Sequence, residues 1–103
     1  MVIIETPTFT RLIKELMSDG NYRALQEALV MRPDIGDLIK GSGGLRKIRW
    51  SQNSKGKRGG VRVIYYWVVC EDQVYMLYVY PKGKQVDLSP EQLKQLKLIV
   101  ERW

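Results

Sequence analysis

The stretch "VRVIYYWVVCEDQVYMLYVY", residues 61–80, decides the fold. Two runs dense in β-branched and aromatic residues flank Glu71-Asp72-Gln73, the pattern of two strands joined by a tight turn. Period two puts Arg62, Ile64 and Tyr66 on one face of the first strand, with Val61, Val63, Tyr65 and Trp67 on the other. Cys70, closing the first run, reads as a buried strand thiol. Pro81-Lys82-Gly83-Lys84 ends the second strand.

Working outward, "LRKIRWS" (residues 45–51) also alternates. Leu45, Lys47, Arg49 and Ser51 point one way, and Arg46, Ile48 and Trp50 the other. It reads as the strand before the hairpin. Downstream, Ser89-Pro90-Glu91 is a helix start, with Ser89 as N-cap and Pro90 in the first position. Leu93, Leu96, Ile99 and Val100 form the apolar stripe of that closing helix.

The first half is helical. Val2–Glu5 reads as a short strand, then Thr6 caps a helix of about ten residues that opens at Pro7 and carries Phe9, Leu12, Ile13 and Leu16. Ser18-Asp19-Gly20-Asn21 is expected to break it. A second helix with Tyr22, Leu25, Ala28 and Leu29 ends before Pro33 and folds back as a helical hairpin. "PDIGDLIKGSGG", residues 33–44, is a connector in which Ile35, Leu38 and Ile39 tuck under the core. Its glycines call for unusual backbone angles or close approach. No Lys-Ser/Thr and no helix start follow them, against a phosphate-binding loop.

The element order is β-α-α-β-β-β-α. The expected fold is α+β: an antiparallel meander with the helical hairpin and the C-terminal helix on one face, the other face being free to bind a partner.

With 103 residues the chain is expected to be a single domain spanning 1–103. No apolar run approaches the ~20 residues of a membrane span. The start, MVIIETPTF, lacks the basic and apolar regions of a secretory signal, so a cytosolic location is expected. One cysteine excludes an internal disulfide and any cysteine-rich metal site. The absence of histidine removes Ser–His and Cys–His pairs, imidazole-ligated zinc and the usual general base near pH 7. Chemistry must run on Lys, Arg, Tyr or carboxylates.

The net charge of +6 belongs to one segment. Arg46, Lys47, Arg49, Lys55, Lys57, Arg58 and Arg62 place seven cations in 17 residues without an acid, while the rest of the chain is close to neutral. Such a block faces an anionic partner. Arg62, at the loop end of its strand, can share a surface with Lys47 and Arg49, with Lys82 and Lys84 at the end of the last strand. Tyr75, Tyr78 and Tyr80 add rings nearby, although most of them read as core. Cations interleaved with rings suit RNA, whose phosphates take Lys and Arg while its unpaired bases stack. The plainer alternative is a solvated hairpin loop.

"GSGGLRKIRW" (residues 41–50), "GKRGGVRVIYYW" (residues 56–67) and "VYPKGK" (residues 79–84) together resemble the RelE/ParE superfamily of type II toxin–antitoxin toxins, most of all the HigB toxins. The likeness runs from the helical hairpin to the last helix. It implies a toxin that cleaves mRNA in the A site of the 70S ribosome. It also implies a HigA-like helix-turn-helix antitoxin as partner, and neither metal nor cofactor. Residue by residue, the family's strand arginine matches Arg62, its preceding-strand basic pair Lys47 and Arg49, and its basic residue after the last strand Lys82. Arg46, Lys55, Lys57, Arg58 and Lys84 are then expected to hold RNA backbone. RelE-type enzymes often place a catalytic tyrosine near the C-terminus; here no tyrosine follows Tyr80.

Cleavage by RNA's own 2′-hydroxyl needs a base there, charge stabilisation at phosphorus and an acid at the leaving 5′-oxygen. Arg62 is the expected phosphate clamp. A lysine crowded by cations should have a lowered pKa, leaving Lys47, Lys55, Lys57 and Lys82 as candidate proton carriers. Two other readings are a ParE-like gyrase poison and a nucleic-acid-binding domain without catalysis.

Overall fold

The computed structural model describes residues 1–51, 60–85 and 87–102. The glycine-rich basic loop with Lys55, Lys57 and Arg58 lies outside them. In chain order the elements are β1 (Val2–Glu5), α1 (Pro7–Leu16), α2 (Asp19–Met31), β2 (Asp37–Leu38), β3 (Leu45–Trp50), β4 (Val61–Val68), β5 (Gln73–Pro81) and α3 (Pro90–Arg102). The strands form one sheet in the order β1-β5-β4-β3-β2, with β1 parallel to β5 and the remaining pairs antiparallel.

Local chemistry explains the helix starts. Thr6 has extended backbone angles, and its Oγ1 accepts from the Phe9 amide at 3.0 Å, with Pro7 at the first helical position. The same hydroxyl donates to the Leu77 carbonyl at 3.1 Å. Leu77 is the extra residue of a bulge, since Tyr65 pairs with Met76 while Ile64 pairs with Tyr78. One threonine thus caps α1 and satisfies the irregular strand beside it. The expected break falls between Leu16 and Asp19: Ser18 has extended backbone angles and its Oγ accepts from the Asn21 amide at 3.1 Å, so Ser18 caps α2 and Asp19-Gly20-Asn21 form its first turn. Glu5 then ties β1 to both helices, accepting from the Thr10 hydroxyl at 2.5 Å and from the Tyr22 hydroxyl. Burial, and then that carboxylate, hold the Tyr22 phenol well above its ordinary pKa.

The expected α+β class is present, but the helices do not share a face. Phe9, Ile13 and Met17 of α1 and its cap, with Leu25 and Leu29 of α2, pack on Ile48, Val61, Val63, Tyr65, Val74, Met76 and Val79. Leu96 of α3, flanked by Leu93 and Val100, packs on Leu45, Ile64, Tyr75, Leu77 and Tyr80. In β4 these two sets alternate residue by residue, so α3 covers the face opposite the helical hairpin. The physical reason lies in β4, where Val61 to Tyr65 are buried consecutively. That is the mark of a strand covered on both sides. The face expected to be free is therefore mostly occupied.

Three smaller expectations also change. The connector contains β2, a two-residue strand on β3, and Ile35 and Leu38 are exposed rather than tucked under the core, while Ile39 packs against it. The following glycines build a turn plugged by buried Ser42, whose Oγ donates to the Ile39 carbonyl at 2.6 Å and accepts from the Leu45 amide at 2.9 Å. Gly44 has φ +114, and a Cβ there would meet the Tyr66 ring at 2.9 Å. Cys70 is exposed, because β4 ends at Val68 and the chain turns through a 3₁₀ segment, Val69–Glu71, with Asp72 left-handed at φ 54.

Candidate active site

The register of the sheet assembles the cations that period two grouped. Arg62 on β4 lies directly opposite Arg49 on β3 and, on its other side, Tyr80 on β5. One step along the same face, Ile64 stands between Lys47 and Tyr78. Two guanidinium groups opposite one another repel, and an anion between them relieves the repulsion. Arg62 is 9% exposed, so most of its side chain is packed. The row sits at the end of the sheet where β3 finishes and β4 begins. There the Lys82 amide donates to the Gly60 carbonyl at 3.0 Å, and Lys82 and Lys84 occupy the exposed turn after β5.

Arg46 does not join this group. It points to the helical-hairpin side, where its Nη1 donates to the carbonyls of Asp34 and Gly36, at 3.2 and 2.7 Å. Tyr65 reinforces the same anchor: its hydroxyl donates to the Pro33 carbonyl and accepts from the Gly36 amide, each at 2.8 Å. Burial pushes the Tyr65 phenol up, keeping it a neutral donor. A Cβ on Gly36 would stand 2.8 Å from the Tyr65 ring, so glycine is required there. Arg46 thus holds β2 against the edge of the sheet.

One residue of the site, Asp87, is not singled out by the sequence, and another, Tyr80, is read there only as one of several nearby rings. Asp87, on the connector between β5 and α3, places Oδ1 2.6 Å from the Lys47 ammonium. The hydrogen bond and charge of Lys47, then the charges of Arg62 and Arg49, hold the Asp87 carboxyl below the ordinary value. Lys47 is therefore not surrounded by cations alone, as the argument for a lowered lysine pKa assumed. Tyr80 is 1% exposed, and its hydroxyl has no hydrogen-bond partner among the described residues. Burial, then the Asp87 charge, push its phenol up, with Arg62 opposing. Counting from the turn would set Val79 across from Arg62; the bulge at Leu77 shifts the register by one residue and brings Tyr80 there instead. No local signal marks Asp87, which meets Lys47 across 40 residues of chain.

The connector that carries Asp87 is held by a network. Gln85 Nε2 donates to the Asp87 carbonyl at 2.8 Å and to Gln92 Oε1 at 2.9 Å. Gln92 Oε1 also accepts from the Ser89 amide at 3.0 Å, while Ser89 Oγ accepts from the Gln92 amide at 3.1 Å. That is a capping box, and it confirms Ser89 as the N-cap. Beside the Lys47–Asp87 pair lies a groove of about 380 Å³ whose walls include Asp37, Leu38, Lys40 and Arg49. A larger, mainly apolar cavity of about 610 Å³ is set between Pro7, Tyr78, Leu96 and Ile99, away from the cations. Chemically, the cationic end of the sheet can bind and polarise a phosphodiester.

A family model described as the RelE toxin of the RelE/RelB toxin–antitoxin system matches residues 1–103. Among solved structures, the chain is similar to a doubly substituted mutant of the toxin RelE from E. coli in the free state. The TM-score is 0.63 at 13% identity, covering 96% of this chain and 95% of that one. It is also similar to the archaeal RelE–RelB complex from Pyrococcus horikoshii, with a TM-score of 0.53 at 18% identity, covering 82% of this chain and 97% of the other. At these identities the two structures speak for the fold. No helix among the described residues is long and apolar enough to cross a membrane.

Proposed function

The chain belongs to the RelE family of toxin–antitoxin toxins, and from that premise we propose that it is a HigB-like, ribosome-dependent endoribonuclease that cleaves mRNA in the A site. The observation that carries this reading is the Arg49–Arg62 pair, two guanidinium groups directly opposite on one sheet face with Lys47 beside them. Arg62 and Arg49 take the non-bridging oxygens of the scissile phosphate and stabilise the charge that grows there. The 2′-hydroxyl gives its proton to water as its oxygen attacks phosphorus, the bond from phosphorus to the 5′-oxygen breaks, and the products are a 2′,3′-cyclic phosphate and a 5′-hydroxyl. To Lys82, exposed in the turn after β5, we assign protonation of the leaving oxygen. The chemistry needs neither a metal nor a cofactor.

The ribosome supplies the positioning that a shallow site cannot, converting a weak encounter into a unimolecular step. Lys55, Lys57, Arg58 and Lys84 hold RNA backbone around the site. The partner that silences the toxin in the bacterial cytoplasm is a HigA-like helix-turn-helix antitoxin.

The test is induced expression of the wild-type chain and of Arg62→Ala in a bacterial host, with growth and transcript ends followed together. The reading expects growth arrest and truncated messages with the wild type, and neither with Arg62→Ala at equal soluble abundance. DNA breaks and a damage response with intact messages would support a ParE-like gyrase poison instead. Full toxicity of Arg62→Ala with no cut messages would leave RNA binding without catalysis.

A further inference from the structure

Resting on the reading of the site as a phosphodiester-binding centre, we propose that Asp87 is a specificity-determining residue: an internal anion that holds Lys47 and competes with the incoming phosphate. Three observations point to it. Its carboxylate stands 2.6 Å from the Lys47 ammonium, on the face that carries Arg49 and Arg62. Its side chain is 68% exposed against 23% for Lys47, so the pair is open to solvent on the carboxylate side and a ligand can displace it. The backbone beneath it is bonded through Gln85 and the Ser89–Gln92 capping box, so the position over Lys47 is built rather than incidental.

The consequence is discrimination. A phosphodiester seated on Arg49 and Arg62 lies beside a carboxylate of like charge and must displace it from Lys47 to gain the third cation. Naked RNA and DNA, held by charge alone, meet that repulsion with little to offset it. A message already held by the ribosome brings independent contacts and can drive the exchange. Specificity of this kind comes from a repulsive element aimed at the wrong ligand. Asp37 contributes a second carboxylate, standing opposite Lys47 in the β2–β3 register at the groove wall. Asp87 is the one bonded to Lys47, and it is held ionised by the three cations it faces.

The test is binding of a short 2′-O-methylated single-stranded RNA, which cannot react through its 2′-hydroxyl, to the full chain over a range of salt. Asp87→Asn should bind about tenfold tighter than wild type, and log K should fall more steeply with log salt by about 0.7, the share of one newly contacted phosphate. Asp87→Glu keeps the charge and should stay within about threefold of wild type. Asp72→Asn is the control for net charge alone. Asp72 lies in the β4–β5 hairpin at the other end of β4 from Arg62, with a left-handed backbone that asparagine tolerates. It should change binding by less than about twofold. Asp87→Asn binding no tighter than wild type, or matched by Asp72→Asn, would overturn the proposal. Thermal melting of each variant checks the fold. Because this probe is never cut, a wild-type chain that fails to cleave mRNA on ribosomes would sink the nuclease reading without touching the binding result.

Discussion

Arg62 stands between Arg49 and Tyr80 in the sheet register and is largely buried, so packing limits the freedom of its side chain. Arg62→Lys keeps the charge and most of the stem but loses the two-pronged geometry. It should lower cleavage about a hundredfold while leaving the melting temperature near that of wild type, checked by kinetics and calorimetry on one preparation. Tyr65 tests a different residue-scale claim. Tyr65→Phe removes a donor and an acceptor from the buried anchor at Pro33 and Gly36 and leaves the Gly36 amide without its partner. Chemical denaturation should show a loss of about 1–3 kcal/mol. At this scale the sequence is legible wherever the relevant geometry is local. Period two grouped Lys47, Arg49 and Arg62 on one face and set Arg46 on the other, where the structure finds them. Arg46 was nevertheless expected to hold RNA, because a charge count cannot tell a carbonyl anchor from a free cation. Asp87 was invisible because its meaning depends on a contact between distant segments.

Helix α3 is where local signals and tertiary placement part company. Ser89 and Pro90 announce its start, and the reciprocal Ser89–Gln92 bonds bear that out. Ser89→Ala should cost about 1 kcal/mol in denaturant unfolding. Which face of the sheet α3 covers is another matter, since an apolar stripe states that something is covered and not what. The clue was Ile64 and Tyr66, apolar residues on the face assigned to binding, which need a cover of their own. Leu96 provides it, buried among Ile64, Leu77 and Tyr80. Leu96→Ala should therefore destabilise the fold by about 2–5 kcal/mol, whereas exposed Leu98 should tolerate alanine within about 0.5 kcal/mol. Equal effects at the two positions would contradict the placement of α3. Strand β2 escaped notice for a simpler reason: two residues are too short to show alternation.

Taken whole, the molecule is a sheet covered on both sides, with its cationic chemistry left at one end. Within extents of 37 × 30 × 23 Å, that end and the groove beside β2 are where the cations gather. A surface so limited can offer cations to a phosphate but does little to align a flexible single strand for in-line attack. This is why the account assigns alignment to the ribosome and the phosphate contacts to Arg49 and Arg62. The measurement that tests this most directly uses purified ribosomes programmed with a defined mRNA, the full chain, and mapping of the 5′ ends produced. The account predicts cuts within the A-site codon with the wild type, none with Arg62→Ala, and an intact message when ribosomes are omitted. Brisk cleavage of the free message, or A-site cuts that persist in Arg62→Ala, would contradict it.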